Sequence, residues 1–141
     1  MLGMADQVLN KEPGQLNPLL LAYMGDAVYE LFVRYHVVAE GNIRPSDVHQ
    51  KTVGYVSAIA QAKAVRQIEE YLTEEEWQVL KRGRNAKSSG VPKNAKVSEY
   101  RYSTGLEALV GYWYLKGEAQ RLREMITRMI RSLEEDEQHG Q

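Results

Sequence analysis

Two acidic residues are marked out by the company they keep. Between Leu16 and Val33 the only charged residues are Asp26 and Glu30, one helical turn apart, so their carboxylates project from one face of any helix built there. That face also carries Leu19, Ala22, Val33 and Val37. Between Tyr102 and Leu115, in YSTGLEALVGYWYL, Glu107 is the sole charge. A carboxylate near burial is strongly penalised unless a cation or hydrogen bonds compensate it. A hard divalent cation, Mg²⁺ or Mn²⁺, shared by Asp26 and Glu107 from two helices would compensate both, and a cation so held does Lewis-acid chemistry. A blander reading stays open: an acid on an apolar face can cap a neighbouring helix, pair with Arg34 or Arg101, or reach the surface. Glu30 is assigned to that reading, because an arginine on its own helix explains it.

The second chemical feature is basic. From Lys81 to Arg101 the chain carries Lys81, Arg82, Arg84, Lys87, Lys93, Lys96 and Arg101 against Glu99 alone, a net +6 that leaves the remainder at −7. A total of −1 therefore conceals a segregation of charge. Cations on a segment rich in Gly, Ser and Asn suit phosphate contacts, because they can follow a backbone without reading bases. An ordinary solvated loop is the competing reading. GRNAKSSG is not a phosphate-binding P-loop, since its spacing differs and no strand precedes it. The chain has no cysteine, which excludes thiol catalysis, iron–sulfur ligation and Cys-based zinc sites. His36, His49 and His139 lack metal spacing and read as surface or structural residues.

The elements that must position these groups are helices, and the expected fold class is all-α. Asn17 before Pro18 is a cap followed by proline at the first helical position. Leu20, Tyr23, Ala27, Leu31 and Tyr35 then recur at three- and four-residue steps, the pattern of a buried amphipathic stripe. Ser46 can cap a second helix, SAIAQAKAVRQIEEYL reads as a third ending near Leu72, and Thr73 with Glu76 is a capping box opening a fourth. Residues 82–97 lack apolar spacing and read as a long loop. Helical periodicity resumes from Ser98 to Leu115 and again from Glu118 to Glu137. The cluster Tyr112, Trp113, Tyr114 covers too many angles of its helix to be core alone, which assigns part of it to a subunit interface. With 141 residues, 43% of them hydrophobic and 26% charged, the chain reads as one soluble domain over residues 16–137, with a lead segment 1–15 and a tail 138–141. Its longest apolar run, Leu19 to Met24, is too short to span a membrane.

These segments carry a resemblance. LLLAYMGDAVYELFVRYH resembles the signature helix of ribonuclease III domains, and YRYSTGLEALVGYWYLKG resembles that family's second acidic motif. LKRGRNAKSSGVPKNAKVSEYRYST is similar to the stand-alone Mini-ribonuclease III subgroup. The resemblance implies a Mg²⁺-dependent endonuclease for double-stranded RNA, with Mn²⁺ able to substitute. It would act as a cytoplasmic homodimer with one active site per subunit, cutting precursor ribosomal RNA of the bacterial large subunit to leave 5′-phosphate and 3′-hydroxyl ends. It carries the family's signature Asp onto Asp26 and its final catalytic Glu onto Glu107. Lys81, Arg82, Arg84, Asn85, Lys87 and Lys93 would then be the RNA contacts. The typical family member has a Glu four residues before the signature Asp, where this chain has Ala22, and an Asp three residues before the last Glu, where it has Thr104. Those absences leave the number of metal ions open. They motivate a competing reading, a non-catalytic RNA-binding or ribosome-assembly module on a degenerate nuclease fold. A ribosomal protein that presents the substrate is a further partner left open.

Overall fold

Asn17 ends the N-terminal lead by accepting a hydrogen bond from the Leu19 amide at 2.9 Å, and Pro18 starts the first helix, α1 (Pro18–Glu40). A short 3-10 turn, Pro45–Asp47, leads into α2 (Val48–Val56). The Ser57 hydroxyl caps α3 (Ala58–Arg66), and a second 3-10 turn, Glu69–Tyr71, follows. The expected capping box is formed: the Glu76 amide donates to Thr73 Oγ1 at 3.1 Å, the Thr73 amide donates to Glu76 Oε1 at 2.9 Å, and α4 (Glu74–Asn85) begins there. α5 (Val97–Lys116) stops at Gly117, whose φ of 80° is left-handed, and α6 (Ala119–His139) completes the chain. The computed structural model describes residues 7–86 and 96–139, with side chains as far as Glu137. Among the described residues there is no strand, so the fold is all-α, and no helix is long and apolar enough to cross a membrane.

α5 is the axis of the bundle. From Ser103 to Trp113 every residue except Glu107 is buried, because α1, α3 and α4 pack around it. α1 and α4 approach it at two glycine notches. A Cβ on Gly25 would lie 1.6 Å from the Glu107 carbonyl oxygen, and one on Gly111 would lie 2.0 Å from the Leu21 carbonyl oxygen. On the α4 side, a Cβ on Gly105 would lie 2.8 Å from the Leu80 carbonyl oxygen. Backbone therefore touches backbone at both crossings, and no side chain fits between.

This packing explains three departures from the sequence reading. The stripe expected to face inward is exposed: Leu20, Tyr23, Ala27, Leu31 and Tyr35 face outward, with Tyr23 78% and Tyr35 76% accessible. α1 is apolar on nearly all sides, so periodicity alone could not choose a face. The notch chose it, turning Leu21, Ala22, Gly25, Val28, Tyr29, Val33 and Val37 inward. Second, of the aromatic cluster Tyr112 and Trp113 are core, since α5 is enclosed, with Trp113 Nε1 donating to Glu76 at 2.7 Å, and only Tyr114 is partly exposed, at the edge of a groove between α1 and α6. Third, α4 continues through Asn85, so Arg82, Arg84 and Asn85 are helical rather than in a loop, while α3 ends at Arg66. Lys87 and Lys93 lie outside the described residues.

Glu76 ties α4, α5 and α6 together. It accepts from Trp113, from the Thr73 amide, and from Arg121 Nε and Nη2 at 3.0 and 2.7 Å. Burial pushes its carboxyl up, but the bonds from Arg121, Thr73 and Trp113 together outweigh burial and bring it down to about 2. A carboxyl held below its ordinary value of 4.5 contributes stability that is complete above that pH and is lost as pH falls toward 2. Glu76→Gln is expected to destabilise the protein by about 2 kcal/mol at neutral pH. It should also flatten the fall of melting temperature between pH 4.5 and 2, as followed by circular dichroism. Gly111→Ala should cost about 3 kcal/mol through overpacking at the α1–α5 crossing, measured as a lowered urea midpoint with unchanged slope.

Candidate active site

The α1–α5 notch places the chemistry. Asp26 directly follows Gly25, and Glu107 is the residue whose carbonyl Gly25 touches, so the two acids face each other across the crossing. Asp26 is exposed, not nearly buried as its apolar neighbours suggested, because it stands at the edge between the inward and outward faces of α1. Glu107 is half-buried, and its carboxyl is hydrogen-bonded to that of Asp26. Burial, then the bond to Asp26 and the Asp26 charge, push Glu107 up to about 9. Two carboxyls held this close repel each other when both are ionised.

Two further polar groups complete the cluster, and neither was singled out from the sequence. Gln61 of α3, only 3% exposed, acts against the upward shift of Glu107, as a polar group that favours the ionised carboxylate does. Tyr29, one turn beyond Asp26, is fully buried, and its hydroxyl has no hydrogen-bond partner among the described residues. Burial first, and then the Glu107 charge, raise its pKa far above the ordinary phenol value. Gln61 sits in an Ala-rich stretch that reads as plain helix; the missed signal was an uncharged polar side chain between Ala60 and Ala62.

Two adjacent carboxyls that repel when ionised are a pair that a divalent cation can neutralise, and their all-oxygen donors suit a hard ion. The orphaned Tyr29 hydroxyl, buried beside Glu107, is a further polar group of the kind a hydrated ion satisfies. Asp26 and Glu107 are the residues here that could hold such an ion. Ala22 is buried in the core and the Thr104 hydroxyl donates to the Tyr100 carbonyl at 3.1 Å, so neither position adds a carboxylate. Glu30 pairs with Arg34, as expected. Among the described residues, His36, Glu40 and Glu134 do group within 4.8 Å, although sequence spacing gave no sign of it. His36 Nε2 lies 2.9 Å from Glu40 and 3.0 Å from Glu134, which joins α1 to α6 about 15 Å along α1 from Asp26.

Cations lie toward the N-terminal end of α5. The Arg84 guanidinium carbon stands 5.8 Å from the Trp77 ring centroid and 5.5 Å from that of Tyr102, while Arg66 of α3 stands 5.0 Å from Tyr102. Arg66 escaped the sequence reading because it lies outside the basic segment. Lys81 is exposed, and Asn85 Oδ1 accepts from Arg84 Nε at 3.3 Å. Arg82 is engaged differently, donating to the Gly14 and Leu16 carbonyls at 2.6 and 3.1 Å and so pinning the lead segment to α4.

Comparison with known proteins gives a consistent picture. A model of the ribonuclease III domain matches residues 19–118. The Mini-ribonuclease 3 of Thermoanaerobacter sp. (strain X514) is 48% identical over 85% of this chain and 84% of its own length. That of Clostridium tetani is 42% identical over 96% of this chain and 91% of its own. A Fusobacterium nucleatum protein of known crystal structure superposes with a TM-score of 0.78 at 28% identity, covering 87% of this chain and 98% of that one. The matched span takes in the crossing of α1 and α5 with both of its carboxyls, and the chain belongs to the ribonuclease III domain family, in its Mini-ribonuclease 3 branch.

Proposed function

We propose that this endoribonuclease cleaves double-stranded RNA at a divalent-cation site shared by Asp26 and Glu107. Its substrate class would be precursor ribosomal RNA of the bacterial large subunit, cut in the cytoplasm to leave 5′-phosphate and 3′-hydroxyl ends. The observation that carries the reading is the carboxyl pair, brought together from distant parts of the chain at a backbone-to-backbone crossing. A Mg²⁺ ion bound there, with Mn²⁺ as substitute, supplies the Lewis acidity that polarises the scissile phosphate and activates water. Asp26 offers an exposed oxygen reachable by a phosphodiester, and Glu107 anchors the site from the wall of the bundle. Water and the phosphate itself would complete the coordination shell where Ala22 and Thr104 stand. Lys81, Arg84 and Asn85 on α4, joined by Arg66 on α3 and by Lys87 and Lys93, would contact the duplex through phosphates and 2′-hydroxyls, with little base readout. Arg82 is better explained by its carbonyl contacts.

The homodimer has its own support. The exposed apolar stripe of α1 runs from Leu20 through Tyr23, Leu31 and Tyr35 to Val38, and it borders a largely apolar groove of about 710 Å³ lined by Val28, Leu31, Phe32, Tyr35, Ile126 and Ile130. Apolar surface of that extent marks an association face.

Two experiments test the reading. Long duplex RNA should be cut in Mg²⁺ by the wild-type protein and not after chelation. Asp26→Asn and Glu107→Gln should each lose at least a hundredfold in rate while keeping their fold and their affinity for duplex RNA without metal. Wild-type cutting by Asp26→Asn would sink the assignment, and salt-sensitive RNA binding without metal-dependent turnover would favour the non-catalytic module. For the dimer, Leu31→Asp is expected to shift the sedimenting species from dimer to monomer in analytical ultracentrifugation.

A further inference from the structure

An arginine side chain is long and freely rotating, so an exposed guanidinium loses conformational entropy each time it is fixed on a phosphate. Several arginines of this protein are already fixed by oxygen atoms. Arg34 pairs with Glu30, Arg44 with Asp47 and Arg121 with Glu76, while Arg82 donates to two backbone carbonyls. Arg66 and Arg84 are held differently. Among the described residues neither lies in an ion pair, and both converge on one ring, that of Tyr102, with guanidinium carbons 5.0 and 5.5 Å from its centroid.

The two cations come from different helices. Arg66 is the last residue of α3, and Arg84 stands one residue before the end of α4. Like charges drawn to one side chain repel, and attraction to the π-face of the ring offsets part of that repulsion. A guanidinium held over a ring keeps its N–H donors available, unlike one held by a carboxylate, and those donors match the oxygens of a phosphate. Arg84 Nη1 also makes a long hydrogen bond to the Tyr102 hydroxyl at 3.4 Å. Tyr102 itself is half-buried and packs against the core, so the ring is anchored. It lies five residues before Glu107 on α5, about 7.5 Å of helix rise. The side chain that gathers the cations therefore belongs to the helix that carries the acid.

We infer that Tyr102 is a positioning residue for substrate binding: its ring holds the Arg66 and Arg84 guanidiniums ready for the phosphates of an RNA duplex, on the same helix as Glu107. The role rests on the RNA contacts proposed above for those two arginines. It predicts a defect in the grip on RNA and none in the turnover of bound substrate, since Tyr102 acts through the arginines and not through the acids.

The test uses Tyr102→Leu and Tyr102→Met, which remove the ring but keep an apolar side chain against the core, and Tyr102→Phe, which keeps the ring. Each is made in the wild-type protein and in one that also carries Arg66→Ala and Arg84→Ala. Affinity for a short RNA duplex is measured without divalent metal by fluorescence anisotropy over a range of salt. Cleavage in Mg²⁺ is followed by steady-state kinetics and folding by thermal melting. The Leu and Met variants should bind duplex about fivefold more weakly and raise KM in step, with kcat within about twofold of wild type, and Tyr102→Phe should recover most of the affinity. Without the two arginines the same substitutions should change affinity by less than about twofold, because the ring has nothing left to hold. Equal losses in both backgrounds would overturn the positioning role in favour of packing or of a direct contact between Tyr102 and RNA. If removing the arginines weakens binding and lowers its salt dependence by about two, while Tyr102→Leu and Tyr102→Met bind like wild type, the positioning role is wrong and the RNA contacts stand. If both arginines can be removed without loss of affinity, those contacts fail and the role of Tyr102 goes with them.

Discussion

One backbone contact governs this molecule. Gly25 on α1 and Gly111 on α5 let two helices meet without intervening side chains, and everything functional is registered from that crossing. Helices separated by ordinary side chains run 8–10 Å apart, and an aspartate and a glutamate on such helices reach each other only at favourable rotamers. Here the separation is reduced to carbonyl against Cα, and Asp26 beside Glu107 follows from it. The opposite notch, Gly83 and Gly105, also holds α4 too close for an added Cβ, so α5 cannot slide or turn without a clash on one flank.

The same central helix orders the charge. Gln61 meets Glu107 and Arg66 meets Tyr102, so α3 runs antiparallel to α5; α4 does likewise, from Glu76 at Trp113 to Arg84 at Tyr102. Both neighbouring helices therefore deliver their C-terminal cations to one end of α5, about one and a half turns from the acids. C-terminal placement suits these arginines on local grounds too, since cations near a helix C-terminus oppose its dipole. Local helix electrostatics and the geometry of a polyanion-binding edge are satisfied by the same residues.

Much of this could be read in the sequence, and the limits have physical causes. Caps are local, so Asn17 and the Thr73–Glu76 box were legible; Ser46, expected to cap the second helix, instead lies within the 3-10 turn Pro45–Asp47, and Asp47 stands at the start of α2. The isolation of Glu107 in an apolar run was visible because a lone charge there demands a partner, and its neighbour proved to be Asp26. The facing of α1 was not legible: an apolar helix satisfies the three-and-four spacing on two sides, and only the close approach at Gly25 breaks the tie. Gln61 and the His36–Glu134 contact depend on pairs 46 and 98 residues apart, for which no spacing rule exists. The end of α4 was misread because Gly83 and Asn85 look like loop residues, although Gly83 is the small residue a tight crossing needs.

The outward stripe of α1 has a thermodynamic consequence. The helix that carries Asp26 packs its inner face on α5 within the chain, while its outer face gives Tyr23, Leu31 and Tyr35 to solvent. In the homodimer proposed above, in which a second copy would cover that face, unfolding a protomer would also release its neighbour, and the free energy holding Asp26 in register would gain a contribution from mass action. Dilution then does what a destabilising substitution does. The melting temperature becomes a function of protein concentration, and the fraction of competent sites falls faster than the amount of chain.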